Sequence, residues 1–259
     1  MLLCIDIGNT NIKYAVFSDE SILASYRVSS RQTRTADEYG ATLLNLLNSS
    51  GIKVSDVTGI IVSSVIPSLN YTISHMCEYF FKITPLMIGA GVKTGLNVKA
   101  DNPKEVGADI IANSVCAYKK YGKKTPVIVI DFGTATTFDV IGKSGDLQGV
   151  IIAPGIKSAL EGLVSHTAQL PMIELERPKT AIPKNTKACM QAGLIFGFAG
   201  LVENIVKKVK AELNEEAFVV ATGGMGEIIA KEVSCIDKID RTLTLNGLRI
   251  IYEMNKQND

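Results

Sequence analysis

Short runs of β-branched and other apolar residues, separated by polar turns, open both halves of the chain. In the first half, the run 3–10 opens with a strand, and residues 12–17 and 23–28 predict two more. In the second half, the similar run 129–136 also opens with a strand and is followed by strands predicted at residues 137–141 and 147–152. Each first strand ends in an acid followed two positions later by a glycine, and the two acids, Asp6 and Asp131, lie 125 positions apart. A repeat at about half the chain length predicts two similar domains.

Helical spacing of apolar residues follows each set of strands. It predicts helices at residues 37–47, 103–118 and 187–213, and a further helix that begins near Glu227. Additional strands are predicted at residues 59–65 and 218–221. Strands and helices therefore alternate in both halves, which indicates an α/β protein. The lysine- and glycine-rich segment 119–125 is the natural boundary, so we expect domains at residues 1–118 and 119–259.

Composition narrows the class of protein. Hydrophobic residues make up 46% of the chain, charged residues 20%, and the net charge is +1, which is typical of a globular protein without a nucleic-acid partner. The five cysteines form no C-x-x-C pair, so we expect a reducing, cytoplasmic compartment. Asp6 interrupts the first apolar run, which argues against a signal peptide. The charge-free stretch 57–77 contains Pro67, Asn70 and His75, so we expect no membrane span.

The first acid–glycine turn has the composition of a phosphate site. After Asp6, Gly8 allows a tight turn, and the amide and hydroxyl of Asn9 and Thr10 follow at once. Turns of this kind bind phosphate oxygens through successive backbone N–H groups. Asp6 could hold Mg²⁺ through water, because Mg²⁺ prefers one or two carboxylates plus substrate phosphates. Lys13 could neutralise another oxygen. The alternative interpretation is an ordinary turn between two strands.

A second acid–glycine turn strengthens the interpretation of the first as a phosphate site. Asp131, Gly133 and Thr134 repeat the arrangement, with Thr136 and Thr137 close behind. Two such turns on similar domains are expected to face one another across a cleft. Phosphoryl transfer requires mainly positioning and charge neutralisation, which two opposing turns provide. The alternative is a duplicated fold without a working site.

Two weaker sequence signals are also consistent with a nucleotide-binding site and a catalytic acid. Gly223 and Gly224 follow an apolar strand, where they allow close approach to a flat ligand such as adenine, although such a pair is also typical of a plain turn. Asp109 lies beside the apolar stripe of the helix predicted at residues 103–118. It is either a solvated or capping acid or a general base aimed into the cleft.

Taken together, these segments resemble the superfamily of acetate kinases, sugar kinases, heat-shock-70 proteins and actin. Within it, the chain is most similar to type III pantothenate kinases. The segments that carry the resemblance occur in the family's order over nearly the whole chain: residues 6–11, 93–96, 106–109, 130–137, 149–155, 167–171, 185–186 and 222–224.

The resemblance implies two ribonuclease-H-like domains with an ATP cleft between them. It implies that Asp109 is the catalytic base and that Asp131 holds a monovalent cation, K⁺ or NH₄⁺. The residues that it implies for ATP and phosphate are Asp6, Ile7, Gly8, Asn9, Thr10, Asn11, Ile12, Lys13, Gly133, Thr134, Gly223 and Gly224. Those it implies for the substrate are Lys99, Ala100, Gly107, Ala108, Asp109, Ile110 and Thr186.

The activity implied is ATP- and Mg²⁺-dependent phosphorylation of pantothenate, the first step of coenzyme A biosynthesis, by a cytoplasmic homodimer. The chain departs from the family at two positions. Ile110 stands where the family usually has arginine, and Ala100 stands near where it tends to have tyrosine. Isoleucine cannot replace the guanidinium fork that binds a carboxylate, although Lys99 could supply a charge. Two alternatives are a kinase of the same fold with another alcohol acceptor, and a non-catalytic, nucleotide-binding regulatory paralogue.

Overall fold

The computed structural model describes residues 1–32, 34–122 and 124–256. Over these residues it contains eleven strands and seven α-helices. The strands are β1 (Leu2–Ile7), β2 (Asn11–Ser18), β3 (Ser21–Ser29), β4 (Gly59–Ser64), β5 (Leu86–Met87), β6 (Asn97–Val98), β7 (Val127–Phe132), β8 (Ala135–Ile141), β9 (Asp146–Pro154), β10 (Phe218–Gly223) and β11 (Lys238–Ile239). The helices are α1 (Ala36–Ser49), α2 (Pro67–Phe81), α3 (Ala108–Tyr121), α4 (Ile156–Ser165), α5 (Thr186–Leu213), α6 (Gly226–Ala230) and α7 (Leu243–Asn255).

The chain divides into two compact units. The first comprises residues 1–95, 101–116 and the segment from Leu243 onward, and the second comprises residues 96–100 and 117–242. This division differs from a single boundary after residue 118 in three places: at residues 96–100, at residues 117–118 and at α7. The reason for the difference at α7 is packing, because α7 contacts β1 and β4 of the first unit. At Gly247, any side chain would collide with the backbone of Ala112, so the helices α7 and α3 approach closely there.

The first unit is built on a five-stranded sheet of order β3-β2-β1-β4-β5. β1 pairs antiparallel with β2 and parallel with β4. The alternation of side chains along each strand gives every strand two faces. One face of the sheet packs against α1 and α2 to form an apolar core, whose members include Leu3, Ile5, Ile7, Tyr14, Leu43, Leu47, Val62, Ile73 and Met76.

The second unit is built on a six-stranded sheet of order β11-β10-β7-β8-β9-β6. The series β9-β8-β7-β10 has the same order and strand directions as β3-β2-β1-β4, so the repeat in the sequence is a repeat of topology. Among the described helices, α5 is the one long and apolar enough to cross a membrane, and half of its most apolar stretch is buried. Its residues Ile195, Phe198, Val202 and Val206 belong to the core, as in a core helix.

The helix predicted at residues 103–118 begins later than expected. A single 3₁₀ turn occupies Pro103–Glu105, and α3 starts only at Ala108. The side chain of Asn102 accepts a hydrogen bond from the Lys104 N–H, and Val106 is extended, which separates the two segments. Asp109 therefore lies in the first turn of a helix.

Candidate functional site

The first acid–glycine turn connects β1 to β2. Asp6 is the second-last residue of β1 and is only 4% exposed. The register of the two strands places Lys13 directly opposite, and its Nζ lies 3.1 Å from the Asp6 Oδ2. Within the turn, the Gly8 N–H donates to the Asn11 carbonyl at 3.0 Å. The acid thus has a cationic partner beside a tight turn, and the ammonium of Lys13 could move from the carboxylate to a bound anion.

Neighbouring strands brace this turn from both sides. Ser30 donates from its hydroxyl to the Gly8 carbonyl at 2.7 Å and from its N–H to the Thr10 carbonyl at 3.1 Å. The Val65 N–H donates to the Ile7 carbonyl at 3.0 Å. These bonds fix the backbone of the turn without any ligand, so a phosphate would meet a preorganised site.

The predicted phosphate-binding residues differ in what their side chains can do. The side chains of Ile7 and Ile12 pack into the apolar core, so these two residues can serve a phosphate only through the main chain. Asn9 is exposed at the tip of the turn, and Thr10 and Asn11 are half-buried beside it.

Asp109 lies at the start of α3, also in the first unit. Its Oδ1 accepts the N–H of Ile110 at 2.9 Å. A Cβ added at Gly107 would lie only 2.5 Å from the same Oδ1, so the carboxylate occupies the space that the glycine leaves open. Ala108 is buried, whereas Asp109 and Ile110 are half-buried. The N-terminal end of a helix favours the negative charge of a carboxylate.

Asp131 lies on β7 of the second unit, between two threonines. Thr137 is its partner on β8 and Thr222 its partner on β10, so all three side chains share one face of the sheet. Gly223 has a φ of +90°, and a Cβ there would lie 2.6 Å from both the Asp131 Oδ1 and the Phe132 carbonyl. One carboxylate, two hydroxyls and a nearby carbonyl are hard oxygen ligands, so the residues present fit a monovalent cation.

The turn that follows Asp131 is fastened to the start of α4. The Gly133 N–H donates to the Ala135 carbonyl at 3.0 Å. The Thr134 carbonyl accepts two bonds, from the Gly155 N–H at 3.1 Å and from the Ser158 hydroxyl at 2.7 Å. Hydrogen bonds from Gly155 and Ser158, at the start of α4, therefore fix the backbone of the second turn, as Ser30 and Val65 fix that of the first.

A groove of about 380 Å³ lies between α4, α6 and the irregular segment 172–175. Its volume falls within the range of small-molecule sites. The Gly223–Gly224 turn leads directly into it, because Met225 is part of its wall. The lining is Lys157, Leu160, Glu161, Met172, Ile173, Glu174, Leu175, Met225 and Ile228. A largely apolar group with a few polar atoms fits this lining.

The remaining predicted substrate residues belong to the second unit. Thr186 is the first residue of α5 and is exposed, and the side chain of Asn185 caps that helix by accepting the Ala188 N–H at 2.9 Å. Lys99 is exposed beyond β6, and its N–H donates to the Leu147 carbonyl at 2.9 Å.

No group of three or more histidine, cysteine, aspartate or glutamate side chains gathers at metal-binding distance in the part of the chain that the structure describes. A Mg²⁺ ion would therefore depend on one or two carboxylates and on phosphate oxygens, which is its usual binding mode in kinases. The buried Asp6 carboxylate at the braced turn fits that role.

Sequence reasoning missed the bracing serines Ser30 and Ser158. Serine is common in turns, and each donates to a carbonyl more than twenty positions away, 22 for Ser30 and 24 for Ser158. No local pattern marks such a partner.

Three solved structures are similar to this chain over nearly its full length. A Campylobacter jejuni protein described as a Baf-family transcriptional activator has a TM-score of 0.61 at 19% identity, covering 98% of both chains. A Sinorhizobium meliloti protein described as a 2-dehydro-3-deoxygalactonokinase has a TM-score of 0.61 at 10% identity, covering 100% of this chain and 98% of that one. A polyphosphate/ATP-glucomannokinase from an Arthrobacter species has a TM-score of 0.50 at 16% identity, covering 98% and 99%.

At these identities the likeness establishes the fold. The chain is an α/β protein of the two-domain fold shared by sugar kinases and actin-like ATPases. The family model of type III pantothenate kinase matches residues 2–208, which is most of the chain. The protein belongs to the type III pantothenate kinase family, and membership implies a kinase that uses ATP.

Proposed function

We propose that this protein transfers the γ-phosphoryl group of ATP to the hydroxyl of pantothenate, giving 4′-phosphopantothenate in the first step of coenzyme A biosynthesis. The observation that carries the proposal is the family match over residues 2–208, a range that contains Asp6, Asp109 and Asp131. A protein that only bound nucleotide would have no chemical need of all three acids.

The Asp6 turn is proposed to bind the phosphates. Lys13 forms an ion pair with Asp6 here, and a triphosphate would offer its ammonium a more highly charged partner. Asp6 would then hold Mg²⁺ through water, together with the phosphate oxygens. When bound, Mg²⁺ offsets the charge on the transferred phosphoryl group. The backbone of the turn needs no rearrangement, because Ser30 and Val65 already brace it.

Asp109 is proposed to be the general base. An alcohol is a poor nucleophile until its proton leaves, and a carboxylate within hydrogen-bond reach accepts that proton as the phosphoryl group moves. Asp109 lies in the first turn of α3, and Gly107 leaves room for its carboxylate. The proton would come to rest on a carboxylate oxygen of Asp109.

The second unit is proposed to hold the rest of the nucleotide and the monovalent cation. Thr134 lies in the turn that joins β7 to β8, and Gly223 ends β10, the parallel neighbour of β7. The groove beside Met225 suits an adenine ring by its size and its largely apolar lining. Asp131, with the hydroxyls of Thr137 and Thr222, would hold K⁺ or NH₄⁺.

The structure also supports a second candidate function, which differs in the alcohol that accepts the phosphoryl group. Ile110 is half-buried beside the proposed base and has no charge with which to bind the pantothenate carboxylate. A kinase of the same fold with an uncharged alcohol acceptor is therefore the second candidate. If Lys99 supplies the missing charge, pantothenate remains the favoured acceptor.

We further propose that the enzyme is a cytoplasmic homodimer without a membrane or nucleic-acid partner. Ile152 and Ile182 of the second unit are 69% and 82% exposed, respectively, and a second copy that covered them would remove apolar surface from water. Thr186, which the family's pattern assigns to the substrate, follows Ile182 closely in the chain.

A phosphorylation assay with ATP, Mg²⁺ and K⁺ against pantothenate and matched alcohols without a carboxylate tests the proposal. We expect pantothenate turnover that falls about 10²- to 10⁴-fold in Asp109→Asn, with ATP binding retained. Asp37→Asn is the matched control, because Asp37 is an acid in the first turn of α1 in the same unit. Turnover of only the uncharged alcohols would favour the second candidate. ATP binding without turnover of any alcohol would contradict both and favour a regulatory role.

A further inference from the structure

The register of the first sheet places a third polar side chain beside Asp6. Ser63 is the β4 partner of Asp6, just as Lys13 is its β2 partner. Partners in register point to the same face of a sheet, so Lys13, Asp6 and Ser63 form one row across three strands. Ser63 occupies the same second-last position in β4 that Asp6 occupies in β1.

The Ser63 hydroxyl is an unusual group at this position. Its residue has no exposed surface, and within the described residues its Oγ has no hydrogen-bond partner. A buried hydroxyl without a partner destabilises a fold relative to alanine, which would fill nearly the same space. A hydroxyl retained there is therefore expected to gain a partner in a state other than the free protein.

The second unit repeats the pairing. Thr222 is the β10 partner of Asp131, and it too is buried, at 2% exposure. Ser63 follows its acid by 57 positions and Thr222 by 91, so the sequence spacing differs while the place in the fold is the same. A hydroxyl beside each acid at the parallel neighbour is thus a feature of both proposed ion sites.

We propose that Ser63 is a positioning residue for the divalent cation that accompanies ATP. In the free protein Lys13 contacts the Asp6 Oδ2 at 3.1 Å. When phosphate draws the Lys13 ammonium away, the Asp6 carboxylate loses that donor, and the Ser63 hydroxyl donates to it instead. The new hydrogen bond holds the carboxylate in the orientation that receives hydrated Mg²⁺. Partners of this kind, one step removed from the metal, orient the groups that face it.

This inference rests on the proposed function, because it takes Asp6 to hold Mg²⁺ with a nucleotide. It makes a separate claim, however. The role of Ser63 is to set the Mg²⁺ concentration at which nucleotide binds, whatever alcohol is later phosphorylated.

The test is calorimetric titration of the full-length protein with a non-hydrolysable ATP analogue over a series of Mg²⁺ concentrations. Three variants are compared with the parent: Ser63→Ala, Ser63→Thr and Ser114→Ala. Ser114 is the matched control, because it is a fully buried serine of the same unit whose Oγ also lacks a partner within the described residues. Thermal unfolding of each variant is measured alongside.

We expect Ser63→Ala to raise the Mg²⁺ concentration for half-maximal nucleotide binding about 10- to 100-fold, with an unchanged or higher Tm. Ser63→Thr keeps the hydroxyl and should stay close to the parent, and Ser114→Ala should change only Tm. A Mg²⁺ dependence in Ser63→Ala that matches Ser114→Ala overturns the inference and leaves the proposed function standing. A parent that binds nucleotide equally well without Mg²⁺ contradicts the proposed function itself.

Discussion

The position of the Asp109 carboxylate depends on the missing side chain of Gly107. A Cβ at residue 107 would lie 2.5 Å from the Asp109 Oδ1, whereas ordinary van der Waals contact begins near 3.4 Å. Gly107 is not in the left-handed region, so alanine fits its backbone. The substitution Gly107→Ala should therefore keep the fold and move the carboxylate by about 0.9 Å, the difference between those two distances.

A displacement of that size is large for a general base. Misplacing a reacting group by about 1 Å costs roughly 10²-fold in rate, or about 2.7 kcal/mol at 1.36 kcal/mol per decade. We expect kcat with pantothenate to fall about 100-fold, while the KM for ATP stays unchanged and Tm shifts little. The assay is steady-state ADP release, with Gly162→Ala as the control, because a Cβ at Gly162 meets nothing within 4 Å.

The double variant sharpens the test. If Gly107→Ala acts only through the carboxylate, adding it to Asp109→Asn should lower kcat no further, because effects that share one group are not additive. A Gly107→Ala enzyme with nearly the parent's kcat would refute the reasoning. It would mean that catalysis does not require the Asp109 carboxylate to occupy the space beside Gly107.

Three further predictions concern the acceptor, the cation and stability. Ile110→Arg should lower the KM for pantothenate about 10- to 100-fold by restoring a charged contact, and Lys99→Ala should raise it if that lysine holds the carboxylate; a parent indifferent to both binds the carboxylate elsewhere. Activity should require K⁺ or NH₄⁺ rather than Na⁺, and Asp131→Asn should abolish that preference; equal rates in sodium and potassium would contradict the assignment. Burial opposes ionisation of Asp240, but hydrogen bonds from Lys120 and the Thr242 segment outweigh it and hold the pKa of Asp240 below its usual value. Its stabilisation is thus present above the unfolded pKa of about 4 and is lost as the pH falls below it, so Asp240→Asn should reduce unfolding free energy at pH 7 by about 1 kcal/mol and flatten the acid limb in denaturant titrations.

The strands and the two acid–glycine turns follow from local sequence. Apolar runs that end in an acid and a glycine are a short-range signal. The strands β1 and β7 both end within two residues of the acids at which their ends are predicted, Asp6 and Asp131. The helix predicted at residues 103–118 was right in kind but began too early. The apolar spacing of Val106 and Ile110 predicts a helix that already includes Val106. The Asn102 cap and the extended backbone of Val106 instead keep the residues before Ala108 out of the helix.

The unpredicted parts depend on partners that are distant in sequence. The return of α7 to the first unit depends on Gly247 meeting the backbone of Ala112, and no pattern within either helix shows it. The α2 helix follows β4 within the charge-free stretch 57–77, where apolar content alone cannot separate a strand from a helix. The row of Lys13, Asp6 and Ser63 likewise exists only through strand register.

The duplicated rows explain how one topology could serve two different ions. Asp6 and Asp131 occupy equivalent places, each with a hydroxyl residue on its parallel neighbour. They differ at the antiparallel neighbour, which is Lys13 in the first row and Thr137 in the second. Lys13 forms an ion pair with Asp6; under the proposed roles a phosphate would draw its ammonium away, and a divalent ion would then be favoured when it arrives with the nucleotide. In the second row the antiparallel neighbour is the hydroxyl residue Thr137, and under the proposed roles its oxygen would join Asp131 in holding the monovalent ion. The difference at this one strand position would therefore separate the two proposed roles.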